Sequence, residues 1–248
     1  TPTYLLERIS KSDIDETELD NMPMIPPSDF DVSPELTDNP LPMLYQTGYL
    51  TIKGYDPLTE LYTLGYPNRE VKLGFTRGLL SQYQSQHFTS SGGFVARFFS
   101  AMRENDIDSA LSLMQSYLAG IPNDLENKTE KHYQTIIYLV FSLLGYYIQS
   151  EVKSAIGRAD AVCRTRDRIY VFEFKVDGSA EDALRQIDDK GYLIPYKAEY
   201  SGASASSATN MGCASAGSAT KAEMELVKVG VNISTRTRTI DSWKSVIE

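Results

Sequence analysis

Residues 168–176, RIYVFEFKV, form an apolar run broken at its centre by Glu173 and Lys175. Aromatic and β-branched residues at this density favour a strand. A strand with so few polar positions belongs in the middle of a sheet. An ionised side chain in such a place needs a partner, because an unpaired buried charge is strongly destabilising. The run is preceded by GRADAVCRTRD, residues 157–167. With Arg166-Asp167 as a two-residue loop between Thr165 and Arg168, the two segments make a β-hairpin. In that register Asp160 opposes Glu173 and Arg158 opposes Lys175.

Opposed residues on antiparallel strands share a face, with Cβ atoms about 5 Å apart. Alternate residues of one strand share a face too. Asp160, Glu173 and Lys175 are therefore predicted to converge, while Phe172, Phe174 and Val176 face the core. Neighbouring carboxylates repel and raise one another's pKa unless a cation lies between them. Their hard oxygens suit Mg²⁺ or Mn²⁺. A lysine beside such an ion orients water or stabilises charge growing on a phosphate. The competing reading of the same three residues is a salt-bridge cluster on a half-exposed sheet.

The flanking sequence predicts an α/β unit with a mixed central sheet flanked by helices. EKHYQTIIYLVFSLLGYYIQ (130–149) is a helix, apolar nearly all round its centre. A strand near 150–156 and the hairpin follow. SAEDALRQIDDKGY (179–192) reads as a helix with a capping box at Ser179 and Asp182 and Gly191 at its end. Gln186 and Lys190 lie one turn apart on the same face of it. LVKVGVNIS (226–234) is a further strand. The run 201–220 is almost wholly Ser, Ala, Gly and Thr, and reads as a loop that builds no core.

Upstream, residues 1–40 end in an acidic, proline-rich stretch that reads as a linker or an extended segment packed on a neighbour. Residues 41–125 read as a mainly helical region with a β-hairpin. A short helix ending near Tyr45 precedes YLTIKGY and LYTLGY, which are joined by a DP turn. Helix followed by hairpin is a winged-helix-like order. A border near residue 125 separates this region from 126–248.

Composition narrows the function classes. The 33 acidic residues outnumber the 24 basic ones, for a net charge of −9. This disfavours indiscriminate binding to phosphate backbones and leaves room for a locally basic cleft around Arg158, Arg164, Arg166, Arg168 and Lys175. Cys163 and Cys213 have neither metal-finger nor disulfide-scaffold spacing. The apolar run 136–148 is too short to span a bilayer. The expected setting is the cytoplasm, with no membrane partner. No GxxxxGK[ST] phosphate loop occurs. His87 and His132 lack a nucleophile beside them and read as ordinary residues.

The pattern Gly157-Arg158-Ala159-Asp160 followed by Glu173-Phe174-Lys175 resembles the PD-(D/E)xK nuclease superfamily. GRAD, YVFEFKVDGSAEDALRQIDDKGY and VKVGVNIS are similar to the C-terminal nuclease-like domain of bacterial proteins that carry an AAA-ATPase-like domain first. So are TPTYLLERI, YQTGYLTIKGYDP and LGYPNREV. The resemblance implies a restriction-endonuclease-like core. Asp160 and Glu173 would bind a divalent metal, Lys175 would be the catalytic lysine, and Glu130 on the apolar helix would be a further acidic ligand. Gln186 matches the glutamine that a related branch places on the helix after the lysine strand. That branch has a tyrosine four residues later, where this chain has Lys190. Arg158 and Lys190 are candidates for contact with nucleic acid, DNA being the expected substrate. Residues 1–40 would be the tail of the ATPase-like domain. A binding or regulatory module that keeps the fold without catalysis is the alternative.

Overall fold

The computed structural model describes residues 3–10, 19–20, 22–33, 37, 39–82, 91–121, 130–145, 149–152, 160–201 and 224–248. The elements run α1 (Thr3–Ser10), β1 (Met24–Ile25), a 3-10 turn (Pro27–Asp29), α2 (Leu41–Gln46), β2 (Thr51–Asp56), β3 (Leu61–Gly65), α3 (Arg69–Gln82), α4 (Ser91–Arg103), α5 (Ile107–Ala119), α6 (Glu130–Leu144), β4 (Gln149–Val152), β5 (Ala161–Arg164), β6 (Arg168–Val176), α7 (Ala180–Asp189), α8 (Ile194–Ser201), β7 (Glu225–Ser234) and β8 (Thr239–Ile247). Packing divides the chain into residues 1–93 with 120–143, and residues 94–119 with 144–248.

In the first unit β2 and β3 form the expected hairpin, and β1 pairs antiparallel with the other edge of β3. The DP pair makes the turn because the Asp56 carboxylate accepts the Leu58 N–H at 2.9 Å and the Thr59 hydroxyl at 2.9 Å. Met24–Ile25 supplies the extended segment, with Ile25 buried. Ile136, Leu139, Val140 and Phe141 of α6 are buried as its apolar composition requires.

In the second unit, among the described residues, the sheet has five strands in the order β4-β5-β6-β7-β8. β6 and β7 are parallel, and the remaining pairs are antiparallel. This is the mixed sheet that the sequence predicted, with α8 and β8 as additional elements. β6 is central, and both of its faces are covered. Ile169 and Val171 pack with Ile187, Tyr192 and Leu193 of the α7–α8 region. On the opposite face the Tyr170 hydroxyl donates to the Asn105 side-chain oxygen at 3.2 Å. Asn105 lies between α4 and α5 and adopts a left-handed φ of 60°. It also accepts the Thr165 hydroxyl at 3.0 Å and donates to Asp167 at 2.8 Å, tying the hairpin loop to the helix pair. Ile169 and Val171 are thus as buried as Phe172, where one core face was expected. The α4–α5 pair supplies the second layer. α5 lies against β8, where Gln115 donates to the Ile240 carbonyl at 2.7 Å.

α7 is held at both ends by its own sequence. The Asp182 N–H donates to Ser179 Oγ at 3.0 Å, and Ser179 Oγ donates to the Asp182 carboxylate at 2.7 Å. At the other end Gly191 takes a φ of 63°. The Gly191 N–H then reaches the Asp188 carbonyl at 3.0 Å, and the Tyr192 N–H reaches that of Ile187 at 3.1 Å. That pair of bonds is a Schellman motif.

α7 can lie close to the sheet because β7 carries Gly230. A Cβ at that position would stand 2.3 Å from the Ala180 carbonyl oxygen and 3.0 Å from the Leu184 side chain. Gly230→Ala is therefore expected to lower stability by about 1–3 kcal/mol through overpacking. Urea denaturation measures this, and an unchanged midpoint would contradict the close approach.

Candidate active site

The hairpin fixes the position of the first carboxylate. Ala161 pairs with Phe172, Val162 with Val171, Cys163 with Tyr170 and Arg164 with Ile169. The Thr165 N–H donates to the Arg168 carbonyl at 2.8 Å, closing the two-residue loop. This is the register read from the sequence, and one step further puts Asp160 beside Glu173. Asp160 Oδ2 accepts the Phe174 N–H at 2.8 Å, so its carboxylate is fastened to the strand that carries Glu173.

Glu173, Lys175 and Gln186 form a closed triangle. Lys175 Nζ donates to Glu173 Oε1 at 3.2 Å and to Gln186 Oε1, while Gln186 Nε2 donates to Glu173 Oε1. Period-two alternation puts Glu173 and Lys175 on the α7 side of β6. Gln186 meets them from α7, one turn beyond the buried Ala183. Glu173 is 2% exposed, which removes the reading of a surface salt-bridge cluster. Its Oε2 is buried and has no hydrogen-bond partner. Burial, and secondarily the charge of Asp160, push the Glu173 carboxyl up to about 7, with Lys175 and Gln186 pulling the other way.

The remaining predicted residues are placed differently. Lys190 is exposed and is the C-cap of α7. Arg158 lies outside the described residues. Glu130 opens α6, in the helix that packs with the first unit, and its side chain is also outside them. Arg164, Arg166 and Arg168 do not join Lys175. They sit at the hairpin end of β6, seven residues or roughly 23 Å of strand away from Arg168 to Lys175. Arg168 is paired with Glu225 at 2.7 Å. Cys163 is buried in β5, where desolvation pushes its thiol up to about 12. It is a packing residue, not a nucleophile.

Two residues outside the predicted site set join it, Tyr192, which lies two residues beyond Lys190, and Asn232. The Tyr192 hydroxyl accepts from Gln186 Nε2 at 3.3 Å. The signal for it was Gly191, since a Schellman turn folds the second residue after the cap back over the last helical turn. Asn232 on β7 pairs with Lys175 and is buried. Its side-chain oxygen accepts the Gly178 N–H at 2.9 Å, fixing the turn that leads from β6 into α7.

The donor set fits a hard divalent cation. Two carboxylates lie together, and one presents an orphaned buried oxygen. Among the described residues no cluster of three or more His, Cys, Asp or Glu side chains is formed. Mg²⁺ needs only one or two carboxylates, because it retains several waters.

Without metal, the buried carboxyl makes a pH-dependent contribution. Native Glu173 keeps its proton up to about pH 7, and the unfolded residue loses it near 4.5. Between those values the native state holds more protons, so stability from this group falls as pH rises. Glu173→Gln in EDTA is expected to gain on the wild type between about pH 5 and about pH 8, by about 3 kcal/mol at most. Urea titrations across that range read the difference, and parallel curves for the two proteins would contradict the burial of an ionisable group.

Residues 128–205 match the family described as PD-(D/E)XK nuclease superfamily. An "Uncharacterized protein in vnfD 5'region" of Azotobacter chroococcum mcd 1 is 31% identical over 165 residues, covering 63% of this chain and 32% of the relative. The chain thus spans about a third of the length of the curated relative it matches. No solved structure gives a significant match. Among the described residues, no helix is long and apolar enough to cross a membrane. The mixed sheet flanked by helices is consistent with a restriction-endonuclease-like fold, and the match of residues 128–205 to the PD-(D/E)XK nuclease superfamily suggests a nuclease.

Proposed function

We propose that this chain is a metal-dependent nuclease that hydrolyses phosphodiester bonds in DNA. The observation that carries the reading is Glu173. One of its oxygens is bonded to Lys175 and Gln186, the other is buried and unpartnered, and Asp160 stands beside it. An ion such as Mg²⁺ or Mn²⁺ held by Asp160 and Glu173 would supply positive charge to a phosphate oxygen and acidify water. Lys175 is 29% exposed, so its ammonium can meet a phosphate oxygen while its stem packs beside Gly178. Gln186 bridges Glu173 and Lys175 and keeps the lysine from collapsing fully onto the carboxylate. Asp160, fastened to the Phe174 amide, holds its second charge in place without a mobile side chain.

Other parts of the proposal rest on resemblance. Glu130 supplies a further acidic group, and Arg158 and Lys190 contact the nucleic-acid backbone. An ATPase-like domain belongs to the longer protein, which works in the cytoplasm. The residue ranges 1–40, 41–125 and 126–248 are its proposed functional divisions.

The test is cleavage of single-stranded, double-stranded and branched DNA with Mg²⁺ or Mn²⁺. Cutting is expected only with metal, and Lys175→Ala is expected to lower the rate by about 10²–10³, as loss of an electrostatic stabiliser does. A folded protein that cuts none of these, and that binds no Mg²⁺ by calorimetry, would leave the binding-module reading in its place.

A further inference from the structure

β6 and β7 run parallel, and Lys175 pairs with Asn232. Paired residues on neighbouring strands share a face of the sheet, with the backbones about 4.8 Å apart. That face is the α7 side, where Glu173, Lys175 and Gln186 meet. Asn232 is 5% exposed, within the run LVKVGVNIS. Asparagine is disfavoured in strands, and a buried polar side chain calls for hydrogen-bond partners. Only half of this amide is bonded inside the protein. The Gly178 N–H is a backbone donor, so the atom that accepts it at 2.9 Å is the amide oxygen. That bond settles which way the amide points, with Nδ2 as the other arm. Among the described residues Nδ2 donates to no acceptor. It is not sealed from solvent as Glu173 Oε2 is, so a ligand can reach it.

Gly178 keeps the space beside this amide clear. It does not take a left-handed φ, so backbone freedom is not what calls for glycine here. A Cβ at 178 would stand 3.2 Å from the Lys175 Cβ and 3.9 Å from Asn232 Oδ1. Any side chain would therefore start in contact with both members of the pair. Gly178 is itself exposed, and glycine lets a ligand come close to the backbone. Asparagine amides are among the groups that hold phosphate oxygens.

We infer that Asn232 is a phosphate-binding residue, its Nδ2 donating to a non-bridging oxygen of the phosphate that Lys175 meets. The inference rests on the nuclease reading and adds a neutral donor beside the ammonium. Neutrality suits the position. A second lysine there would repel Lys175, and an aspartate would accept the Gly178 N–H equally well but repel the phosphate. Anchoring the turn needs only the oxygen of the amide, and binding phosphate needs only the nitrogen.

The test compares Asn232→Ala and Asn232→Asp in the full chain, under conditions where urea denaturation shows both to be folded. Fluorescence anisotropy of labelled DNA in Ca²⁺, a hard cation for the same oxygens, reads binding. Asn232→Ala is expected to bind about tenfold more weakly than the wild type, and Asn232→Asp about 100-fold, through loss of a bond to an anion and then a like charge beside it. Their urea midpoints are expected to fall in the opposite order, because aspartate keeps the acceptor for Gly178. The loss in Asn232→Asp is expected to persist when Lys175→Ala is added, which separates a direct contact from an effect on the lysine. Wild-type affinity in Asn232→Ala would overturn the contact. So would tighter binding by Asn232→Asp than by Asn232→Ala, the result for a turn anchor alone. A loss that vanishes with Lys175→Ala, or no DNA binding by the wild type, would overturn it as well. Cleavage by the same wild-type preparation in Mg²⁺ separates the two ideas. Cutting, with binding indifferent to Asn232, removes the contact alone. Amide-dependent binding without cutting removes the nuclease reading alone.

Discussion

Glu173 holds a carboxyl group in the middle of a strand that is covered on both sides. One oxygen is satisfied by Lys175 and Gln186, and the other has no protein partner. Burial and the nearby Asp160 together make the ionised form costly, so the group is held near neutrality with respect to its proton. Every neighbouring element bears on that balance. β5 brings Asp160, α7 brings Gln186, and β7 leaves room for α7 to come so near.

The close approach of α7 explains several residues that otherwise look incidental. Gly230 lies opposite Glu173 in the parallel ladder, where any side chain would meet the Ala180 carbonyl. Ser179 starts the helix, and Gly191 ends it so that Tyr192 returns to the Gln186 amide. Asn232 anchors Gly178 just ahead of the helix. The glutamine is therefore held by a capped helix, a turn and a tyrosine, and its amide has one orientation that suits all three of its partners. A side chain fixed in that way holds the lysine ammonium in place by its hydrogen bond to Gln186.

Charge is distributed along β6 rather than gathered at one place. The hairpin end carries Arg164, Arg166 and Arg168, the last neutralised by Glu225. The other end carries the carboxylates and Lys175.

The sequence alone determined what depends on neighbours close in the chain. The two-residue loop Arg166-Asp167 set the β5–β6 register, and with it the meeting of Asp160 and Glu173, because a hairpin of fixed loop length has one register that keeps its faces matched. The capping box at Ser179 and the glycine at 191 were legible for the same reason: each satisfies backbone groups within one turn. Tertiary structure decided the rest. The parallel pairing of β6 with β7, the addition of β8, the α4–α5 layer behind Tyr170 and the reach of Tyr192 to Gln186 join segments that carry no local signal of one another. Such pairings are chosen by which surfaces can be buried together once the chain has collapsed, and period and spacing in a single segment do not encode that choice.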